Sequence, residues 1–132
     1  MEANDYQIGG NHYNNKEYQH WDMVCDTGLH YLLACATKYI SRWREKNGIE
    51  DLKKPSHYLV KADELGIEPP TSQLMEDACV KFCTQLHPSD AAIITHICNN
   101  EYQIAMNLIS DLVIGHTCVD KGEATASYVN KD

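Results

Sequence analysis

The stretch KYISRWREKNGIEDLKK, residues 38–54, decides the fold because it joins two helical patterns and holds most of the basic side chains. Six of the eleven Lys and Arg residues lie in it, although the 132-residue chain has a formal net charge of -8. Such a concentration of cations produces a local positive field that attracts anions, above all phosphates. The stretch also has the pattern of a helix end, a turn at Gly48 and a new helix start. That arrangement can direct cationic side chains and helix N-terminal N–H groups at one point.

Apolar spacing before the turn predicts a first long helix over residues 28–45, capped by Asp26 or Thr27. Gly48 is placed to end it in a left-handed conformation. Residues 1–27 are expected to form a structured loop with a short turn at residues 21–25. The apolar stripe of the first helix comprises Leu29, Leu32, Leu33, Ala36, Ile40 and Trp43.

Apolar spacing after the turn predicts a second helix over residues 50–65, ended by Gly66. Pro55 removes a backbone donor, so this helix must either begin near Lys54 or have an irregular first turn. Together the two helices predict an antiparallel helical hairpin.

Three further helices are expected beyond the Pro69-Pro70 linker. The third is capped by Thr71 or Ser72, the fourth covers residues 88–98, and the fifth covers residues 101–114 and stops at Gly115. The predicted apolar stripe of the fifth comprises Ile104, Ala105, Leu108, Leu112 and Val113.

The fold class predicted from these patterns is all-α and bundle-like, with a helical hairpin followed by C-terminal helices. We divide the chain into a helical domain with an N-terminal Gly-Gly loop (residues 1–66), a helical extension (71–116) and a polar tail (117–132). Because the two apolar stripes are too large for a hairpin to bury, and the proline pair stiffens the link, we expect a homo-oligomer with ligand sites near subunit boundaries.

Composition restricts the function classes. With 43% hydrophobic and 23% charged residues the chain is typical of a globular domain, and no window resembles a membrane span. The acidic, polar first residues are no secretory signal, so a cytoplasmic location with six free thiols is expected. The acidic balance argues against general nucleic-acid binding, so a cationic site here favours a small phosphorylated ligand.

Lys38 and Arg42 are the first candidate anion ligands, because residues four apart share one helix face. Their alternative role is pairing with Glu45, Glu50 or Asp51 on a solvated surface. Glu50 and Asp51 have two readings of their own, as ligands of a Mg²⁺ ion that accompanies a nucleotide or as carboxylates at a helix N-terminus. A Mg²⁺ ion that accompanies the nucleotide is the one cofactor that the sequence leaves open, and no metal-ligating residues are predicted.

Gly9 and Gly10 are the candidate ligand loop, because glycine lets backbone approach a ligand closely. His12 and Tyr13 follow as hydrogen-bonding and aromatic groups. The loop is not a P-loop, since G-x-x-x-x-G-K-[ST] does not occur in the chain.

An ordered set of motifs extends over residues 6–65. It consists of Gly9-Gly10-x-His12-Tyr13, Trp21-Asp22, Lys38-Tyr39-Ile40-x-Arg42, Lys46-x-Gly48-x-Glu50-Asp51-Leu52-Lys53-Lys54 and His57-Tyr58-Leu59. This set resembles a small phage-encoded domain family of nucleotide kinases and is similar to the P-loop-less nucleotide kinase of T-odd phages. The resemblance implies a helical, oligomeric domain that handles nucleotides. The chain departs from the pattern at Pro55 and after residue 71.

What the resemblance implies is a nucleoside monophosphate kinase-like phosphotransferase in the host cytoplasm. The expected phosphate or nucleotide contacts are Gly9, Gly10, Tyr13, Lys38, Arg42, Lys46 and Lys54. The expected catalytic residues are His12, Arg42 and Asp51. In this scheme His12 is a hydrogen-bonding or acid–base group, while Asp51 orients a cation or holds Lys54.

Two other functions stay open at this point. The same cations would serve a non-catalytic protein that sequesters a nucleotide, such as a host immune signal, because binding phosphate and transferring it need the same charges. The third candidate is a protein inhibitor of a host enzyme, which fits the acidic surface.

Overall fold

Every regular element in residues 17–121, the part of the chain that this computed structural model describes, is a helix. The predicted all-α class is therefore confirmed. The helices are α1 (His20–Thr27), α2 (Tyr31–Arg42), α3 (Ile49–Leu52), α4 (Lys54–Glu64), α5 (Gln73–Cys83), α6 (Pro88–Cys98) and α7 (Tyr102–Lys121), with a 3-10 turn over Trp43–Glu45.

The prediction of one helix over residues 28–45 is wrong at its start. Gly28 has φ 70° and ends α1 in a left-handed conformation. The helical path is therefore interrupted at the residue where the long helix was expected to begin. Asp26 and Thr27 lie inside α1 rather than capping α2. The cap of α2 is His30, whose Nδ1 accepts a backbone N–H at 3.0 Å. The turn expected at residues 21–25 is likewise part of α1.

The turn after α2 contains Gly48 as predicted, but Gly48 does not end the helix as a left-handed C′ residue, because α2 stops at Arg42. Gly48 takes φ 59° and ψ -134°, a positive-φ conformation that glycine adopts most readily, and its N–H donates to the carbonyl of Trp43 at 2.8 Å. The conformation lies outside the left-handed helical region that was expected. Pro55 stands in the first turn of α4, which begins at Lys54 after the single-turn α3.

The C-terminal helices follow the sequence pattern with one error. Ser72 caps α5 through its hydroxyl, which accepts the N–H of Met75 at 3.1 Å, and α6 covers the residues expected. Gly115 does not stop the last helix, because α7 continues to Lys121. A glycine inside a helix costs only about 1 kcal/mol relative to alanine. The expected polar tail thus begins inside α7, and residues 122–132 lie outside the described part.

One hydrophobic core joins the two halves of the chain. Helix α2 packs on both α4 and α6, α1 packs on α5, and α7 packs on α4 and α6. The core residues that are fully buried include Met23, Leu33, Ala36, Ile40, Leu52, Leu59, Phe82, Ile93, Ile94, Ile97 and Ala105. The tertiary fold therefore returns α5–α7 onto the first hairpin.

The linker after α4 is held against the start of α7. The hydroxyl of Tyr102 donates to the carbonyl of Ile67 at 2.6 Å, and the amide of Asn100 donates to Glu68 at 3.3 Å. The stripe of the first helix is mostly buried within the chain, whereas Ile104 of the last stripe is exposed. Self-association is therefore not needed to cover the first stripe, and the homo-oligomer stays a prediction.

Five of the cysteines are free thiols, as expected: Cys25, Cys35, Cys79, Cys83 and Cys98. Cys79, Cys83 and Cys98 belong to the core and act there as small apolar side chains. None of the helices in residues 17–121 combines the length and apolar character needed to cross a lipid bilayer.

His20 links α1 to the core and makes the fold sensitive to acid. Its Nε2 lies 2.8 Å from the hydroxyl of Thr37, and its ring packs edge-on against Phe82. Burial, with a smaller contribution from the charge of Lys38, lowers the pKa of His20 from 6.5 to about 4. The folded state therefore favours the neutral imidazole.

We expect the free energy of unfolding to fall as the pH falls from 6.5 towards 4. In this range His20 binds a proton in the unfolded chain but stays neutral in the folded protein. The loss at pH 5 is on the order of 2 kcal/mol. Denaturant unfolding at several pH values should show this slope flattened in His20→Gln and unchanged in His57→Gln, whose side chain is exposed. Equal slopes in wild type and His20→Gln would contradict the assignment.

Candidate functional site

A buried carboxylate organises the basic stretch. Asp51 in α3 has no exposed surface, and both of its oxygens accept charged or amide donors. Oδ2 accepts Nε of Arg42 at 3.2 Å, while Oδ1 accepts Nζ of Lys54 at 3.2 Å and Nδ2 of Asn47 at 3.3 Å. One negative charge thus faces two positive charges. We call Tyr39, Arg42, Asn47, Asp51 and Lys54 the Asp51 cluster.

The backbone between α2 and α4 explains why these side chains meet. Arg42 is the last residue of α2, and the 3-10 turn followed by Gly48 reverses the chain so that α3 begins beside it. Lys54 stands three residues after Asp51, a spacing that brings side chains together on a helical path. Arg42 and Lys54 thus meet at one carboxylate, and for Arg42 this is the pairing with Asp51 that was left open as its alternative role.

An aromatic pair adjoins the cations. The Cζ atom of Arg42 lies 4.4 Å from the ring centroid of Tyr39, and Nζ of Lys54 lies 5.0 Å from it. The rings of Tyr39 and Tyr58 stack with centroids 6.0 Å apart at 18°. Cation–π attraction and the Asp51 ion pair together hold the guanidinium in place.

Asp51 is ionised at neutral pH. Burial opposes the charge, but the hydrogen bonds from Lys54 and Asn47 and the charge of Arg42 outweigh it and hold the pKa of Asp51 below its usual value. A carboxylate with a lowered pKa and occupied oxygens is a poor proton acceptor. The expected contact with Lys54 is present, whereas a catalytic role for Asp51 stays a prediction.

The other predicted ligands lie apart from this carboxylate or outside the described residues. Lys38 is one turn before Arg42, near enough to His20 for its charge to lower that pKa, and Lys46 is exposed in the turn. No hydrogen bond of the described residues joins Lys38 or Lys46 to Asp51. The remaining predicted ligands, Gly9, Gly10, His12 and Tyr13, all lie outside the described residues.

A second buried carboxylate, which the sequence interpretation missed, neutralises another cation of the stretch. Asp90 in α6 accepts Nε of Arg44 on Oδ2 at 2.8 Å and Nη2 of the same guanidinium on Oδ1 at 3.3 Å. The indole N–H of Trp43 also donates to Oδ1, at 3.1 Å. The guanidinium lies 4.3 Å from the Trp43 ring. The only sequence signal was an acidic residue in the first turn of α6, which is equally typical of a helix N-terminus.

The magnesium reading of Glu50 and Asp51 does not fit the geometry. The side chain of Glu50 is 79% exposed and lies 4.0 Å from Nζ of Lys53. Both carboxylate oxygens of Asp51 already accept hydrogen bonds, from three donors in all. No group of three or more His, Cys, Asp or Glu side chains within residues 17–121 is arranged to hold a metal ion. The helix N-terminal reading describes these two carboxylates better.

An open groove of about 470 Å³ lies on the outer face of α4, next to the Asp51 cluster in sequence. Its lining combines two lysines and one carboxylate with three other side chains and consists of Lys53, Ser56, His57, Val60, Lys61 and Glu64. The groove therefore carries basic and acidic side chains together.

These features define a class: a small all-α protein in which one buried carboxylate holds two cations at the corner between α2 and α4. A family model described as a protein of unknown function (DUF3310) matches residues 8–60, which include this corner. Neither the curated proteins nor the solved structures contain a match to the chain.

We expect Asp51→Ala to lower the free energy of unfolding by about 3–5 kcal/mol, because it leaves the largely buried Arg42 without its carboxylate. Glu50→Ala is the matched control, since its ion pair with Lys53 is exposed and worth less than about 1 kcal/mol. Urea unfolding of both variants measures the difference. Similar stabilities for the two would contradict the anchoring role.

Proposed function

We propose that the protein binds a nucleotide through its phosphates at the Asp51 cluster, with Arg42 and Lys54 as the principal ligands. The observation that carries this proposal is the convergence of two cations on one buried carboxylate, which fixes their position. Lys54 is 47% exposed and has three N–H donors, of which the carboxylate needs one. A phosphate approaching from solvent would accept from the remaining donors.

Preorganisation is the physical advantage of this arrangement. The guanidinium of Arg42 is held by Asp51 and by the Tyr39 ring before any ligand arrives. A side chain already fixed loses little rotamer entropy on binding, so more of the charge attraction contributes to affinity. Exposed lysines near the cluster, Lys46 and Lys53, add to the positive field.

The proposed activity is phosphoryl transfer from a nucleoside triphosphate to a nucleoside monophosphate, by a phage-encoded kinase-like enzyme without a P-loop in the host cytoplasm. The support is the resemblance of residues 6–65 together with the cationic cluster. Such transfer depends mostly on positioning and charge neutralisation. In this scheme Lys38 and Lys46 assist the clamp, backbone N–H groups at Gly9 and Gly10 contact phosphate, and His12 supplies acid–base chemistry.

Sequestration without transfer is the second candidate, and the state of Asp51 favours it. The buried carboxylate of the cluster is occupied by Arg42, Asn47 and Lys54 and has a lowered pKa, which suits holding a ligand better than moving a proton. The proposed ligand is then a signalling nucleotide of the host defence. Catalysis would require a base from elsewhere in the chain, such as His12.

One experiment separates the two. Purified protein is mixed with ATP, Mg²⁺ and a panel of nucleoside monophosphates, and the nucleotides are resolved by chromatography. Formation of a nucleoside diphosphate supports the kinase, while tight binding with unchanged nucleotide supports sequestration. If the protein neither binds nor converts any nucleotide, the proposed function is wrong.

We expect Arg42→Ala to weaken ATP binding by about tenfold to a hundredfold, the loss of one charge-assisted contact of about 1.5–3 kcal/mol. Arg44→Ala is the matched control, because it also removes an arginine that pairs with a buried aspartate. In this case the aspartate is Asp90 and not Asp51. Titration calorimetry measures both. An equal loss in the two variants would assign the effect to stability and count against the phosphate clamp.

We also propose that the protein forms a homo-oligomer in which Lys38 and Arg42 of one chain meet the Gly9-Gly10 loop of another. Apolar side chains are exposed at Leu74 (70% exposed) and Val80 (62% exposed). Burial of such side chains between two chains would favour self-association. Light scattering at low micromolar concentration should give a mass above that of one chain. A mass of 15.0 kDa would contradict the shared site.

A further inference from the structure

The stacked pair Tyr39–Tyr58 carries no charge that could bind phosphate, yet it adjoins the two proposed phosphate ligands. Tyr39 lies under Arg42 and Lys54, and Tyr58 continues the aromatic surface onto α4. Both rings are half-buried, so each retains surface that solvent can reach. Among the described residues no cation lies over the Tyr58 ring.

The spacing along α4 suits the shape of a nucleotide. Lys54 and Tyr58 are four residues apart on the same helix face, so their Cβ atoms are separated by about 6 Å. In a nucleotide the ribose stands between the base and the phosphates. A phosphate on Lys54 and a base against Tyr58 would use one turn of helix as the spacer.

The pair differs from Tyr18, a tyrosine nearer the N-terminus that is buried and hydrogen-bonded to Asp26. The groove of about 470 Å³ on α4 is a separate surface, since neither Tyr39 nor Tyr58 belongs to its lining.

We infer that the Tyr39–Tyr58 pair forms the base-binding subsite for a nucleotide whose phosphates lie on Arg42 and Lys54. This inference rests on the proposed function and adds the place and the chemistry of base recognition. Stacking tolerates any base, since every base has a π-face, so purine and pyrimidine nucleotides are both accepted.

The test compares ATP with inorganic tripolyphosphate, which carries the phosphates without a base. Calorimetric titration of wild type should show ATP binding about tenfold or more tighter, the range expected for one stacked base. Tyr58→Leu should remove most of that ratio and leave tripolyphosphate affinity unchanged. Tyr58→Phe keeps the ring and should keep the ratio.

The outcomes separate this inference from the function on which it rests. Equal affinities of wild type for ATP and tripolyphosphate, or an unchanged ratio in Tyr58→Leu, would overturn the base subsite while phosphate binding stands. Failure of both ligands to bind would overturn the proposed function and the subsite together. Circular dichroism checks folding, and Tyr58→Met replaces the leucine variant if that one does not fold.

Discussion

A carboxylate without solvent contact cannot stay ionised unless cations and hydrogen bonds compensate the lost hydration. Asp51 meets that requirement by drawing together the end of α2, the turn at Asn47 and the start of α4. The corner between these helices has little freedom to move. If any of the three donors moved away, the buried Asp51 carboxylate would lose part of the compensation for its charge. The rest of the cluster depends on this constraint, including the position of Arg42 over Tyr39.

The tertiary structure pairs the cations of the basic stretch with different carboxylates. Arg44 is neutralised by Asp90, and with Trp43 it fastens the stretch to α6 and hence to the C-terminal half. Arg42 and Lys54 instead meet at Asp51, at the corner between α2 and α4. Three cations of residues 38–54 are thus fixed at two separate buried carboxylates.

This division bears on the choice between holding a phosphate and transferring it. An ion-paired arginine against an aromatic ring is a rigid ligand, whereas the ionised and occupied Asp51 is unsuited to proton transfer. Under the proposed function, Arg42 and Lys54 would supply the charge neutralisation that phosphoryl transfer needs. Proton chemistry would have to come from His12, which lies outside the described residues.

The sequence by itself determined the local structure of this protein. Apolar periodicity located most of the helices, Gly48 marked the reversal, Pro55 marked the late start of α4, and Ser72 marked the cap of α5, because each effect acts within a few residues. The break at Gly28 and the passage of α7 through Gly115 were misread, since glycine permits either outcome and the surrounding packing decides.

Only the tertiary structure decided which acidic side chain pairs with which basic side chain. Asp51 was recognised as a possible partner of the nearby cations because it lies nine residues from Arg42. Asp90 is 46 residues from Arg44, and nothing in the local pattern could bring the two together. The stacking of Tyr39 on Tyr58 likewise needs α2 and α4 to be packed side by side. The concentration of basic residues predicts an anion site, but which cations lie together follows from helix packing, since pairing depends on distance in space and not in sequence.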